Sequence, residues 1–267
     1  MGPFPERGIQ VNFLSQAATF LTSGAHWSGS NGIPALLLSQ VKLSVVAVIC
    51  ATLAGVGLGS LLGHTGRGSF AVLNAANAAR AIPSFALIIL LAIQPAIARL
   101  QESGFVAASI AMFALAVPPI LTNTYIGVRE VSPEVRSAAL AMGMKPRQLL
   151  WRVELPLAAP LILAGARTAA VEVVATATLA AYVGYPDLGT YIFTGLAVNS
   201  NVETFSGAFL VAVVALAVDS LMAAAGRALT PVGLRSAGTH KDLPALRYRA
   251  LGRIPVVRTQ GNPSKPA

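Results

Sequence analysis

Residues 132–156 read SPEVRSAALAMGMKPRQLLWRVELP, a polar stretch set between long apolar ones. Its charges are Glu134, Arg136, Lys145, Arg147, Arg152 and Glu154, with Arg129 and Glu130 just ahead. Ser132 is placed to cap a helix whose first residue is Pro133, and Glu134 sits favourably against the helix dipole. Gly143 is placed to end that helix in a left-handed turn. Pro146 then starts a second short helix, which Pro156 closes. The stretch therefore reads as helix, glycine turn, helix, with an apolar stripe of Leu140, Leu149, Leu150 and Val153. A basic loop that merely fixed topology would need neither the caps nor the stripe. The pattern points to a surface that docks onto a partner.

The flanks identify the solvent. Hydrophobic residues make up 55% of the chain and charged residues 11%, well under the ~25% charged residues of soluble domains. Between Glu102 and Arg129 lie 26 residues without a formal charge, between Lys42 and Arg67 another 24, and between Arg80 and Arg99 another 18. Such runs match helices across a hydrocarbon core ~30 Å thick. The expected fold is all-α and polytopic, with about five spans at residues 36–63, 70–97, 104–128, 160–183 and 205–229. Lys42 would snorkel near the start of the first. Pro83 is expected to bend the second, and Pro118-Pro119 to break or kink the third. Backbone groups freed by proline in a bilayer need partners in neighbouring helices, so the spans should form one packed bundle.

Charge bias sets the expected orientation. Arg67 follows the first span, five Lys/Arg (Arg129, Arg136, Lys145, Arg147, Arg152) follow the third, and eight occur from Arg227 onward. On the other side, residues 94–103 hold Arg99 alone and residues 184–204 hold no Lys or Arg. The positive-inside bias puts the N-terminus outside, and the C-terminus and the 129–156 loop in the cytoplasm. Residues 1–34 form an extracytoplasmic segment in which Val11, Phe13, Leu14, Ala17, Ala18 and Leu21 recur at helical spacing. It reads as an interfacial helix or as a disordered terminus. Residues 35–230 form the membrane domain. Residues 231–267 form a basic tail, expected to be flexible and close to anionic lipid.

Several functions are disfavoured. The net charge of +9 would suit nucleic acid in a soluble chain, but here it is spread over the expected cytoplasmic loops, so no nucleic-acid partner is expected. His26, His64 and His240 have no metal-ligand spacing, Cys50 is alone, and no glycine-rich phosphate loop is present, so no metal, nucleotide or other cofactor is expected. No nucleophile–base pair supports an intramembrane enzyme. Ionisable residues in spans are functional candidates by default. They are Arg80, Arg167, Glu172 and Asp219. Snorkelling or ion pairing would account for Arg80, Arg167 and Asp219, whereas Glu172 lies deeper. Arg167 and Glu172, five residues apart, are about 140° apart around an ideal helix and do not share a face. A pore-facing or interhelical role for Glu172 stays open. A proton-coupled secondary transporter using Glu172 or Asp219 would require inverted repeats, and none is visible.

Ser137-Ala138-Ala139, then Gly143, then Val153-x-Leu155-Pro156 resembles the EAA loop of ABC importer permeases. Ser137 stands where that family usually has an acidic residue. Segments at 164–169 (AGARTA), 177–181 (ATLAA), Leu188-Gly189, Ile192-Phe193, 195–197 (GLA), 80–84 (RAIPS) and 123–128 (NTYIGV) are similar to osmoprotectant permeases, which carry glycine betaine, choline, carnitine or proline. The Tyr185-Pro186-Asp187 turn and Glu172 depart from that pattern. The resemblance covers roughly residues 35–230.

It implies a type I permease fold and a non-catalytic transport subunit of the bacterial cytoplasmic membrane. The implied partners are a cytoplasmic ABC ATPase dimer that hydrolyses ATP, a second permease copy or a similar permease, an extracytoplasmic solute-binding protein, and membrane lipid. Ser137, Ala138, Ala139, Gly143, Arg147, Leu155 and Pro156 would form the ATPase-coupling loop. For a quaternary ammonium solute, Tyr125, Tyr182, Tyr185, Tyr191 and Phe193 offer aromatic faces, and interfacial anchoring accounts for them equally well. A permease for methionine or an oxyanion would share the loop.

Overall fold

The computed structural model describes residues 6–66 and 69–229, and the expected basic tail lies outside them. Among the described residues there are helices and no strands. They run α1 (Glu6–Thr22), a 3-10 turn (Gly24–Trp27), α2 (Ile33–Thr65), α3 (Ser69–Ala79), α4 (Ser84–Ala92), α5 (Pro95–Ala98) and α6 (Ser103–Arg129). Then come α7 (Pro133–Ala141), α8 (Pro146–Leu149), a π-helical turn (Leu150–Glu154), α9 (Leu155–Ala177), a 3-10 turn (Thr178–Val183), α10 (Gly189–Ala197) and α11 (Asn201–Leu229). Four helical stretches are long and apolar enough to cross a membrane: α2, α6, the run Pro146–Val183 and α11. The bent pair α3–α4 makes a fifth if counted as one span.

Helix α6 is the axis of the bundle, packed against both α2 and α9, which also touch each other. Lipid tails are as apolar as leucine, so helices associate through close backbone approach over small side chains. The core follows that rule: Ala47, Ala51, Ala111, Ala116 and Ala169 pack with Ile88, Met112, Ile120 and Val173. Along α2, Ala47, Ala51, Gly55, Gly59 and Gly63 recur at every fourth position, on the face against α6. A Cβ on Gly59 would stand 2.7 Å from the Leu121 carbonyl oxygen and 2.8 Å from Thr124 Cβ. Neither atom is the free end of a flexible chain. We therefore expect Gly59→Leu to force α2 and α6 apart and cost about 3 kcal/mol or more. Gly57→Ala, which enters open space, should leave the melting temperature of the detergent-solubilised protein unchanged.

The bend expected at Pro83 in the second span is present, its halves meeting at 82° across residues 80–83. Two other expectations are corrected. Pro118 and Pro119 do not break the third, since α6 runs uninterrupted from Ser103 to Arg129 with both prolines buried. Packing against α2 and α9 holds the axis there, and Asn123 Nδ2 donates to the Pro119 carbonyl at 2.8 Å. Pro156 does not close a short helix. The Leu155 N–H donates to the Leu150 carbonyl in an i→i+5 bond, and this widened turn admits the proline ring into α9, which continues to Ala177. Residues 6–22 are helical, and α1 packs on α11 through Phe13 and Phe205, whose ring centroids are 5.2 Å apart.

Candidate functional site: a docking helix and a charged face

The first helix of the 132–156 stretch forms as its residues dictate. The Ser132 hydroxyl accepts from the Val135 N–H at 3.4 Å, with Pro133 in the first turn. At the other end Gly143 takes φ +83°. Its N–H donates to Leu140 at 2.9 Å and the Met144 N–H to Ala139 at 3.2 Å, the paired bonds of a Schellman cap. The Lys145 N–H donates to Gln148 Oε1 at 2.9 Å and opens α8. Ala139 turns inward and is buried, as is Leu149. Ser137, Ala138, Gly143, Arg147 and Pro156 are exposed and Leu155 is half-buried. Leu140, expected in the docking stripe with Leu149, Leu150 and Val153, is exposed, whereas Leu149 belongs to the core and Leu150 and Val153 are half-buried. The outward apolar surface is made instead by Val135, Leu140, Met142 and Trp151, of which Met142 is 73% and Trp151 63% exposed.

Behind this surface lies a cluster that sequence reasoning missed. Glu154 is fully buried, and its Oε2 accepts from His64 Nδ1–H at 2.6 Å. With Glu154 as a carboxylate, which only accepts, the contact requires the His64 tautomer that carries its proton on Nδ1. Arg136 Nε stands 3.3 Å from Glu154 Oε1, an ionic contact outside hydrogen-bond alignment, and its guanidinium donates to the Val128 carbonyl at 2.5 Å. One carboxylate thus ties the end of α2 (His64) to α7 (Arg136) and to the π turn before α9, and Arg136 reaches the end of α6. The signal available in the sequence was the pair of charges at Arg136 and Glu154, but their partner His64 is 90 residues away.

The four ionisable span residues resolve into two pairs. Arg167 on α9 grips Asp219 on α11 with two bonds of 2.7 and 2.6 Å. Arg80, at the break between α3 and α4, meets Glu172 on α9 at 3.4 Å. The ion pairing expected for Arg80, Arg167 and Asp219 is therefore present, and Glu172 joins it as an interhelical partner. Each of the four side chains is 36–44% exposed on the isolated chain. A cavity of about 350 Å³ between α2, α9 and α11 is lined by Val41, Val45, Val174, Val214 and Leu221, a wall unsuited to a polar solute.

At the end of the bundle opposite α7, Gln40 on α2 is fully buried, donates to Val174 at 3.0 Å and accepts from the Leu188 N–H at 3.3 Å. Of the five candidate aromatic residues, Tyr185 and Tyr191 serve as anchors, donating to the carbonyls of Ser39 (2.9 Å) and Asn31 (2.8 Å). Tyr182 and Phe193 come together at 5.6 Å, while Tyr125 joins neither group.

Asp187 sits in the same turn with its side chain buried. Burial pushes its carboxyl up to about 7, and the Gly189 N–H donating at 2.8 Å to Oδ1 opposes that only in part. An unfolded aspartate titrates near ~3.9, so between about pH 4 and 7 the folded chain holds a proton that the unfolded chain has released. The stabilisation is present below pH 4 and is lost as pH rises through 7, with a ceiling on the order of 4 kcal/mol. Asp187→Asn should melt at a higher temperature than the wild type at pH 8, with the gap closing towards pH 4.

Residues 51–231 match the family described as the binding-protein-dependent transport system inner membrane component. The choline transport system permease protein OpuBB of Bacillus subtilis (strain 168) is 36% identical, over 73% of this chain and 88% of that one. The glycine betaine/carnitine/choline transport system permease protein OpuCB of the same organism is 32% identical, over 83% and 97%. Among solved structures, an inward-facing MetNI methionine ABC transporter aligns with a TM-score of 0.67 at 20% identity, over 74% of this chain and 96% of that one, a likeness of fold. The chain belongs to the binding-protein-dependent inner membrane component family and is the multi-pass permease subunit of an ABC importer.

Proposed function

We propose that this chain passes a quaternary ammonium osmoprotectant (choline, glycine betaine or carnitine) across a bacterial inner membrane, driven by a separate ATPase. The observation that carries the coupling half is the capped α7–Gly143–α8 element, which presents Val135, Leu140, Met142 and Trp151 outward between two spans. An apolar surface on a capped helix suits the cleft of a protein partner, and the charge bias of the loops favours the cytoplasmic side. Such a permease makes no covalent bonds. It needs two packings whose balance is shifted when the ATPases close and reopen. The cluster of Glu154, His64 and Arg136 joins the docking helix to α2, α6 and α9, and so supplies a route for that shift. The solute half rests on the named cargoes of the relatives. A second permease copy and an extracytoplasmic binding protein complete the assembly, with residues 1–34 on the outer face and the basic tail inside.

A secondary transporter is disfavoured because Glu172 and Asp219 each hold an arginine partner, which leaves neither as a free carrier of a coupling proton. With permease, ATPase and binding protein reconstituted in liposomes, we expect labelled choline uptake that needs ATP, stops with vanadate and survives a protonophore. Uptake that collapses with the proton gradient and ignores vanadate would overturn the assignment.

A further inference from the structure

The two ion pairs and the break in the α3–α4 span share a consequence. Ionised groups in spans face a bundle interior or water, because hydrocarbon cannot solvate them. Interrupted backbone at membrane depth is likewise tolerated only where it is buried in protein or lines a cavity. Arg80 stands at the break and pairs with Glu172 on α9, so the side of the bundle that carries the break and the outward edge of α9 does not face lipid.

Three aromatic rings meet beyond the break. Phe85, two residues past Pro83, meets Tyr182 with centroids 5.0 Å apart and planes at 70°. Tyr182 meets Phe193 of α10 at 5.6 Å and 58°. The rings are inclined to one another, so their faces do not pair off. Tyr182 is 59% and Phe85 37% exposed. The contrast with Tyr185 and Tyr191 is informative. Those two spend their hydroxyls on backbone carbonyls and lie half-buried or buried, whereas Tyr182 projects outward. Tyr182 lies ten residues beyond Glu172, about 17 Å along the helix axis. The trio is thus nearer the end opposite α7 and the ion pair deeper.

We propose that Phe85, Tyr182 and Phe193 form a subsite in the permease itself for the cationic head of a quaternary ammonium solute, occupied before the solute passes the Arg80–Glu172 pair. The inference rests on the quaternary ammonium reading above. A trimethylammonium group carries its charge on weakly hydrated methyls and cannot donate a hydrogen bond. Aromatic faces attract it without requiring a carboxylate at the same level. Weak capture also suits transit, because a tight site would hold the solute.

The test uses the complete transporter in liposomes, with labelled choline, saturating binding protein and ATP. Tyr182→Leu combined with Phe85→Leu should lower uptake about tenfold or more, while ATP hydrolysis stimulated by loaded binding protein stays within about twofold of wild type. Tyr182→Phe, which keeps the ring, should transport normally. Should the double variant fail to assemble, pentafluorophenylalanine at Phe85 keeps the shape and removes the negative face, and uptake should again fall. Wild-type uptake in the double or the fluorinated variant would overturn the subsite, as would equal damage from Tyr182→Phe and Tyr182→Leu. A disulfide joining two Tyr182→Cys copies in a Cys50→Ser background, unaffected by solute, would identify the trio as a subunit contact and also overturn it. Failure of the quaternary ammonium reading looks different: the unmodified transporter would then take up no choline.

Discussion

Glu154→Ala is expected to lower stability by about 3–5 kcal/mol, the range for breaking a buried ion pair by removing one partner. The carboxylate is fully buried, accepts from His64 at 2.6 Å and lies 3.3 Å from Arg136. Without it, the guanidinium keeps only its bond to the Val128 carbonyl, and His64 Nδ1–H loses its acceptor. Glu154→Gln preserves shape and an acceptor for His64 but not the charge opposite Arg136, so its loss should be intermediate. Thermal unfolding in detergent gives the first readout. The ratio of solute moved to ATP hydrolysed in the assembled transporter gives the second, because loosening α7 from α2 and α9 should waste ATP. A Glu154→Ala protein that melts with the wild type would remove the cluster from the account.

Gly143→Val is expected to abolish uptake, by tenfold or more, with little loss of global stability. Nothing lies within 4 Å of a Cβ built there, so no clash is involved. The obstacle is the backbone, since φ +83° costs an L-residue about 1–2 kcal/mol, and more for a β-branched one. The chain relieves this by leaving the left-handed turn. The Met144–Ala139 and Gly143–Leu140 bonds then go, and α8 no longer leaves α7 at its present angle. Gly143→Asn, which tolerates that region, should retain most activity, and Gly143→Asp should fall between the two. Insertion should be normal throughout, because the residue is exposed outside the spans. Normal transport by Gly143→Val would show that the turn does not transmit motion.

These two positions show what the sequence disclosed. Gly143 was legible because its cue is local: a capped helix that runs out at a glycine followed by Met-Lys-Pro. The cap at Ser132 and the apolar lengths of α2, α6, α9 and α11 were legible for the same reason. Glu154 was not, because a buried carboxylate is defined by partners 18 and 90 residues away, and its own neighbours look like an ordinary amphipathic edge. The prolines were legible unevenly. Pro118-Pro119 read as a break or kink and Pro156 as a stop, yet packing around α6 and a π turn before α9 carried the helix through. Pro83 read as a bend, and the structure adds its size, 82°. The stripe from Ala47 to Gly63 was in plain view as a four-residue repeat, and its use against α6 becomes specific only once the two helices are paired. For the aromatic residues, spacing could not separate anchors from free rings. The hydroxyl partners of Tyr185 and Tyr191 do.

Docking of α7 and the turn after it onto an ATPase is the step through which we propose the transporter is driven. Met142, at the end of α7 and 73% exposed, is the most direct probe. With Cys50→Ser removing the native thiol, Met142→Cys carrying a short photoactivated crosslinker should capture the ATPase in inverted membrane vesicles, in a yield that changes when ATP and vanadate trap the closed state. A transporter that moves solute normally while Met142→Cys captures no ATPase in either state would contradict the account.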